Sequence, residues 1–228
     1  MSQIDDSFEV VIVDNLSSDG SQHILDKYQE GRVVRVLRKR CNRGRGRQIG
    51  LEHSLGSYVI SNLDMDDVFR PFLPDLLELY HAKSEGNLLH VRTNPADREG
   101  WGSNTTIAPR KLLLELGGWR PLQFYEDWDL WSRAARRGLY QWTKFTLVLE
   151  SNTHRERKSS FGRVRFRYSR YVDMSRLGRK IFSDGESVSP AQRLIGLAAR
   201  ARASLSRSWG DELNRSFDPF DSRYYLAT

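Results

Sequence analysis

Short runs of β-branched and apolar residues alternate with helix-like segments, and this alternation constrains the fold more than any other feature of the chain. Residues 8–13 (FEVVIV) and 58–63 have the composition of buried strands. Helical spacing follows each of them, over residues 22–29 and 71–83. Strands that alternate with helices in this way predict an α/β fold with a mixed, mainly parallel sheet flanked by helices.

Acidic residues stand where two of the predicted strands end. Asp14 follows the run at 8–13, and Asp64, Asp66 and Asp67 follow the run at 58–63. Ligands of such sheets bind at the carboxyl ends of the strands, so these side chains are expected to share one site. Carboxylates this close repel each other, and hard oxygen ligands at alternate positions suit Mg²⁺ or Mn²⁺. A solvated acidic turn ahead of the helix that starts at Pro71 is the alternative.

A segment rich in glycine and arginine, residues 40–48, precedes a short predicted helix at 49–55. We interpret the segment as a loop. Its backbone N–H groups, its guanidinium groups and the start of the helix would together suit a diphosphate. A flexible, solvated loop is the alternative, and the segment has no aromatic residue on which a nucleic-acid base could stack.

Two further positions carry candidate chemistry. Asp127 and Asp129 follow the turn at 117–119, and they fit either as partners of a helix dipole or, for Asp127, as the base that takes a proton from an acceptor hydroxyl. His154 follows the last predicted strand, at 142–149, and is a candidate metal ligand if it returns to the active end of the sheet.

The charge is unevenly distributed along the chain. The 228 residues have a net charge of +7. Residues 1–150 carry 20 basic and 21 acidic side chains, whereas residues 151–228 carry 16 and 8. This predicts a near-neutral domain over 1–155 and a basic helical extension over 156–228.

Helical spacing over residues 190–209 places apolar residues on one face of the extension and arginines on another. A basic amphipathic helix of this kind can lie on an anionic membrane, or it can pack its apolar face on the catalytic domain. Arginines also alternate with aromatic residues over 161–171, and these residues would belong to the same surface.

Several protein classes are excluded by composition. Cys41 is the single cysteine, so a disulfide scaffold within the chain and a cysteine-rich zinc site are excluded. No apolar run approaches the roughly 18 residues of a membrane span, and the acidic N-terminus does not resemble a signal peptide. We therefore expect a cytoplasmic protein, either free or held at the inner face of the membrane.

Taken together, the ordered segments at 9–21, 42–48, 56–67, 117–119 and 126–130 resemble family 2 glycosyltransferases of the GT-A fold. The resemblance implies inverting transfer of a sugar from a UDP- or GDP-linked donor, with a divalent cation, Mn²⁺ or Mg²⁺, as cofactor. A glycan or a polyprenyl-linked molecule is the implied acceptor, and an anionic membrane surface is a further expected partner.

The family's site residues transfer to matching positions. Asp127 matches the catalytic base, and Asp14 matches the carboxylate that contacts the donor base. Asp64 and Asp66 match the DXD motif for metal and donor, and His154 matches a further metal ligand. The matching stretch at 42–48 adds three expected donor-binding residues: Asn42, Gly44 and Arg47.

The sequence also departs from the family pattern. It begins at what resembles the family's second strand, so the first βα unit is expected to be missing and a sheet edge to be exposed. A non-catalytic relative that binds a carbohydrate or a protein partner is therefore the alternative function. Nucleic-acid binding through the basic extension is the less favoured alternative, because it leaves the acidic strand ends unexplained.

Overall fold

A computed structural model gives the architecture of the chain. It describes nine ranges: 4–29, 34–63, 67–69, 71–92, 104–145, 148–151, 160–182, 187–206 and 217–227. Strands and helices together form a mixed α/β fold, as the alternation predicts.

Eight strands lie within these ranges: β1 (Val10–Asp14), β2 (Val34–Arg38), β3 (Tyr58–Ser61), β4 (Asp67–Phe69), β5 (Leu88–Arg92), β6 (Asn104–Pro109), β7 (Tyr140–Lys144) and β8 (Val148–Ser151). Seven α-helices accompany them: α1 (Ser21–Gln29), α2 (Arg43–His53), α3 (Leu73–Lys83), α4 (Arg110–Glu115), α5 (Glu126–Arg136), α6 (Ser160–Arg176) and α7 (Pro190–Ser204). None of these helices is both long and apolar enough to cross a membrane.

The described strands form one four-stranded sheet and two pairs. The four-stranded sheet has the order β3-β6-β5-β7, while β1 pairs with β2 and β4 pairs with β8. β1–β2 and β5–β7 are parallel, and the other three pairings are antiparallel. Antiparallel pairing is thus more frequent than we predicted, because β6 runs back between β3 and β5.

The helix predicted to start at residue 49 starts earlier, at Arg43, so the glycine–arginine segment is mostly helix rather than loop. Asn42 caps this helix, since its side chain accepts a hydrogen bond from the N–H of Arg45 at 2.9 Å. The glycines favour close packing: positions 46 and 50 of α2 face Val13 of β1. Tertiary packing therefore outweighs the low helix propensity of glycine here.

Two other sequence predictions differ from the structure. The single strand predicted over 142–149 is two strands, β7 and β8, with different partners. The helix predicted over 190–209 is described from Pro190 to Ser204, and α6 lies in a stretch to which the sequence pattern assigned no element.

The hydrophobic core lies on both faces of the four-stranded sheet. Trp131 and Leu113 are buried on the face that packs against α4 and α5, and Leu76 and Tyr80 are buried on the face that packs against α3. Burial lowers the pKa of His90 to about 4, and its ring stacks on Trp131 at 3.8 Å, so it serves as a neutral core residue.

The last described residues, 217–227, return to this core although the sequence predicted them as part of the extension. Phe217 is buried against it, and the N–H of Leu226 donates to the carbonyl of Trp142 in β7 at 2.8 Å. Within the described part of the extension, residues 160–182 and 187–206 form a helical hairpin of α6 and α7 with its own small core around Tyr171, Ile181 and Ala199.

Candidate active site

The starts of β1 and β3 lie close to each other. Glu9, just before β1, accepts hydrogen bonds from the N–H groups of Leu55 and Gly56, just before β3, the latter at 2.8 Å. The starts of the two strands therefore lie close together. The expected shared site of Asp14 with Asp64, Asp66 and Asp67 stays a prediction, since Asp64 and Asp66 lie outside the described residues.

Asp14 is buried, and its environment is polar. Its carboxylate accepts from the hydroxyl of Ser17 at 2.5 Å and from the N–H of Ser17 at 3.1 Å. The next residue, Asn15, accepts from the N–H of Cys41 at 2.8 Å, which ties the end of β1 to the start of α2.

Asn42 and Gly44 hold the start of α2 against residues 120–122. The amide of Asn42 donates to the carbonyl of Pro121 at 2.9 Å, and the N–H of Gly44 donates to the carbonyl of Leu122 at 2.9 Å. A Cβ at Gly44 would lie 2.0 Å from the carbonyl oxygen of Arg120. The close approach of α2 to residue 120 therefore requires glycine at position 44. The N–H of Gly44 already donates to Leu122, so this N–H is not free to bind a diphosphate.

Asp127, near the start of α5, is held from both sides. Its Oδ1 accepts from the indole N–H of Trp119 at 2.8 Å, and its Oδ2 accepts from the guanidinium of Arg47 at 2.9 Å. The side chain of Asp127 remains 16% exposed. Arg47 also binds the carboxylate of Glu126, so one arginine on α2 joins two neighbouring carboxylates on α5.

Glu126 is the most perturbed carboxyl of this group. Burial and, to a smaller extent, the negative charge of Asp127 together raise its pKa from 4.5 to about 7, although the positive charge of Arg47 opposes both effects. A carboxyl that titrates near neutrality beside a partly exposed carboxylate is typical of a functional site, and buried ion pairs produce the same shift.

A buried ion pair supports the turn that carries Trp119. Arg133 contacts Asp129 at 2.8 Å and donates to the carbonyls of Leu116 and Gly118, the latter at 2.6 Å. The second predicted carboxylate of this segment, Asp129, is completely buried in that pair. It therefore shapes the site and is not available to a substrate.

The loop before Asp127 is held by α6. Asp173, buried in α6, accepts from the N–H groups of Gln123 and Phe124 at 2.8 and 3.0 Å. Tyr125 has a left-handed backbone with φ of 61° directly before Glu126, and its hydroxyl accepts from Arg170 at 2.7 Å. Strain of this kind persists only where the surroundings enforce it.

Three predicted metal ligands, Asp64, Asp66 and His154, lie outside the described residues. Within the described ranges, no three carboxylate, histidine or cysteine side chains gather as a metal site. The described strands next to them do pair: Asp67 of β4 is opposite Ser151 of β8.

Polar side-chain atoms without a described partner lie at the end of β3, next to the acidic motif. The hydroxyl of Ser61 and both amide atoms of Asn62 are buried and have no hydrogen-bond partner among the described residues. Buried polar atoms of this kind need a partner.

The sequence motifs contain the residues that hold Asp127 but do not show that they contact it. Arg47 lies 80 positions before Asp127 and Trp119 lies 8 positions before it, and the fold brings all three together. The Gly117–Trp119 turn and the Glu126–Asp127 pair were visible as motifs, but their hydrogen bonds were not. Asp173 stood in a stretch without any recognised motif, so no signal could have found it.

The sequence and the fold were both compared with known proteins. The sequence model of "Glycosyl transferase family 2" matches residues 1–147. No curated protein matches the chain closely enough to count as a relative.

Two solved structures illustrate the similarity in fold. TarS from S. aureus (residues 1–349, in complex with UDP) is 16% identical, with a TM-score of 0.51 over 88% of this chain and 63% of that one. The mannosyltransferase PcManGT from Pyrobaculum calidifontis, in complex with GDP-Man and Mn²⁺, is 19% identical, with a TM-score of 0.54 over 87% of this chain and 61% of that one.

The chain thus spans about three fifths of the length of these structures. At such identities the similarity shows the GT-A fold, and the family match covers well over half of the chain. The chain belongs to glycosyl transferase family 2.

Proposed function

We propose that this chain transfers a sugar from a UDP- or GDP-linked donor to an acceptor hydroxyl, with a divalent cation and with inversion at the anomeric carbon. The observation that carries the proposal is the carboxylate of Asp127, which is partly exposed and is held by Trp119 on one oxygen and by Arg47 on the other. A base must be fixed in orientation before a substrate arrives, and these two contacts fix it.

Asp127 is the proposed base. An ionised carboxylate offers about four acceptor positions, and the two described hydrogen bonds leave room for a substrate hydroxyl. The acceptor proton passes to Asp127 while the acceptor oxygen bonds to the anomeric carbon. The bond from that carbon to the diphosphate breaks on the opposite face, which inverts the configuration, and the nucleoside diphosphate leaves.

The donor site is proposed at the carboxyl ends of β1 and β3. Asp14 would contact the nucleotide base, Asn42 and Arg47 would face the rest of the donor, and Asp64 would contact its ribose and diphosphate. Gly44 contributes by allowing α2 to approach residues 120–122. The solved structures of similar fold that hold UDP and GDP-Man support a nucleotide-linked donor without deciding its base.

The proposed metal ligands are Asp64, Asp66 and His154, whose oxygen and nitrogen donors suit Mn²⁺ or Mg²⁺. Two observations support the assignment. First, Asp67 and Ser151 are opposite each other in the β4–β8 pair. Asp66 directly precedes Asp67 in the chain, and His154 is three residues after Ser151. Second, the polar atoms of Ser61 and Asn62, which have no partner among the described residues, border the same segment. A bound cation would stabilise the negative charge of the leaving diphosphate.

A cytoplasmic location, with peripheral attachment to the inner face of the membrane, completes the proposal. The acceptor is then a glycan or a polyprenyl-linked molecule.

The proposal is tested by measuring the melting temperature with UDP, GDP and their common sugar conjugates, with and without Mn²⁺. We expect one nucleotide series to raise it only when Mn²⁺ is present, because a ligand of the folded state stabilises that state. Asp66→Ala should abolish the shift. Asp26→Asn, an exposed carboxylate paired with Arg38, should keep it.

If no nucleotide stabilises the wild-type chain, the donor site is refuted and the non-catalytic alternative replaces it. If Asp66→Ala keeps the full shift, the proposed metal ligand is wrong.

A further inference from the structure

The α6–α7 hairpin has a strongly one-sided charge. Its two helices contain eight arginines: Arg163, Arg165, Arg167, Arg170, Arg176, Arg193, Arg200 and Arg202. Their single carboxylate is Asp173, which is buried, accepts from two backbone N–H groups and lies 3.7 Å from Arg176. Arg170 and Arg176 are only partly exposed and contact Tyr125 and Asp173, whereas the other six arginines are exposed and give the outer surface of the two helices a positive charge.

The same hairpin exposes large apolar side chains. Phe161 of α6 is 77% exposed, Leu194 and Leu197 of α7 are 68% and 60% exposed, and Leu205, directly after α7, is 81% exposed. These three leucines fall on one face of the helix. An ordinary surface helix turns such a face toward the core.

Small residues form the packed face of α7 instead. Gly196, Ala199 and Ala203 are buried, and Gly196 lies against the ring of Phe182. The alternative suggested by the sequence, in which the leucine face packs on the catalytic domain, is therefore wrong. The leucines face outward in a helix whose inner face is already covered.

An apolar groove of about 430 Å³ continues this surface between the two helices, with Arg165 at its wall. Its apolar lining consists of Phe161, Val164, Tyr168, Leu194, Ile195 and Ala198. Exposed apolar area flanked by arginines matches an anionic bilayer, which offers an apolar interior beneath a layer of negative charge. Nucleic acid would match the charge alone and would leave the leucines in water.

We propose that the exposed face of the α6–α7 hairpin binds the surface of an anionic lipid bilayer. Phe161 and the three leucines enter the boundary between headgroups and acyl chains, and the arginines contact the headgroup phosphates.

The position of the hairpin connects this surface with the candidate active site. Phe166 of α6 packs edge-on against Phe124 at 4.8 Å, and Arg170 donates to Tyr125, two residues before Asp127. Phe161 is five residues from Phe166, or about 8 Å along the helix axis. A bound bilayer would thus lie beside the loop that precedes the base, which favours a lipid-linked acceptor; this last step rests on the proposed function.

Vesicle co-sedimentation of the full chain tests the surface directly. We expect at least tenfold stronger partitioning onto phosphatidylcholine vesicles with 30% phosphatidylglycerol than onto pure phosphatidylcholine. The double variant Leu194→Ser/Leu197→Ser should lose at least tenfold with its net charge unchanged. Arg200→Gln/Arg202→Gln should lose most of the preference for anionic lipid.

The matched control removes two exposed basic residues of the catalytic domain, Lys111→Gln/Arg137→Gln, and should bind vesicles within twofold of wild type. Equal binding to neutral and anionic vesicles, or wild-type binding by the leucine variant, would overturn the proposal. It would also be overturned if the leucine variant turned a dimer into a monomer while wild type ignored vesicles, since a second copy would then cover the face. Salt-sensitive RNA binding without vesicle binding would overturn it as well.

Failure of this proposal can be told apart from failure of the proposed function. Asp127→Asn should bind vesicles like wild type, because the lipid surface does not involve the base. Sugar transfer without vesicle binding would refute only the membrane surface.

Discussion

Charged side chains have opposite surroundings in the α2–α5 contact and in the α6–α7 hairpin. Around Asp127, arginines are paired with carboxylates, and Asp129 and Arg133 are buried together. In the hairpin, eight arginines accompany one buried carboxylate, and leucines face outward. The first region fixes a few groups in place, which a reaction requires, and the second leaves a surface for something outside the chain.

The largest effect on stability is expected when the buried ion pair of Asp129 and Arg133 is broken. Asp129→Asn leaves Arg133 charged and buried without its counter-ion, which should lower the free energy of unfolding by about 3–5 kcal/mol. Asp26→Asn, which breaks an exposed pair with Arg38, should cost less than about 1 kcal/mol. Urea denaturation of both variants measures the difference, and similar losses would contradict the contrast between buried and exposed pairs.

Replacing Gly44 or Gly50 of α2 by alanine should change stability by very different amounts. Gly44→Ala places a Cβ 2.0 Å from the carbonyl oxygen of Arg120 and should cost about 3 kcal/mol or more. At Gly50 the nearest neighbour of a new Cβ is the Val13 side chain at 3.8 Å, so Gly50→Ala should be neutral or stabilise by up to about 1 kcal/mol. Thermal unfolding of the two variants distinguishes them, and a tolerated alanine at 44 would refute the close approach.

These glycines also show what the sequence could predict. The spacing of apolar runs was enough for the α/β class and for most element positions, because such periodicity reflects burial directly. The glycine–arginine segment is predicted as a loop, because glycine disfavours helices and the residues that pack against these glycines are distant in sequence. Asp127 could be singled out by its motif, whereas the contacts that hold it depend on long-range packing.

A change of pH is expected to have a smaller effect on the free energy of unfolding, through the titration of Glu126. The pKa of Glu126, raised from 4.5 to about 7 in the folded chain, means that the folded state holds this proton more tightly than the unfolded state does. The protonated Glu126 carboxyl therefore contributes stability that is present below pH 4.5 and is lost as the pH rises toward 7. The free energy of unfolding of wild type should fall by about 1–3 kcal/mol over that interval.

Glu126→Gln should remove this part of the pH dependence, and Glu52→Gln, an exposed carboxyl of α2, should leave it unchanged. Urea denaturation at pH 5, 6, 7 and 8 compares the three proteins. Parallel curves for wild type and Glu126→Gln would show that Glu126 titrates normally.

The smallest effect on stability is expected in the hairpin. Leu194→Ser/Leu197→Ser removes apolar side chains that are already in water, so the free energy of unfolding should change by less than about 0.5 kcal/mol per substitution. A loss of several kcal/mol in the same denaturation assay would mean that these leucines pack against the chain in solution, which would remove the contrast between the two regions.

The role of Asp127 is tested most directly by comparing turnover and donor binding in Asp127→Asn. The measurement is release of UDP or GDP from the donor that stabilises wild type in the presence of Mn²⁺, together with calorimetric titration of the same donor. We predict a 10²- to 10⁴-fold loss of turnover, the usual contribution of a general base, with a donor dissociation constant within about threefold of wild type. Turnover within tenfold of wild type would contradict the assignment of Asp127 as the base, and so would a loss of donor binding as large as the loss of turnover.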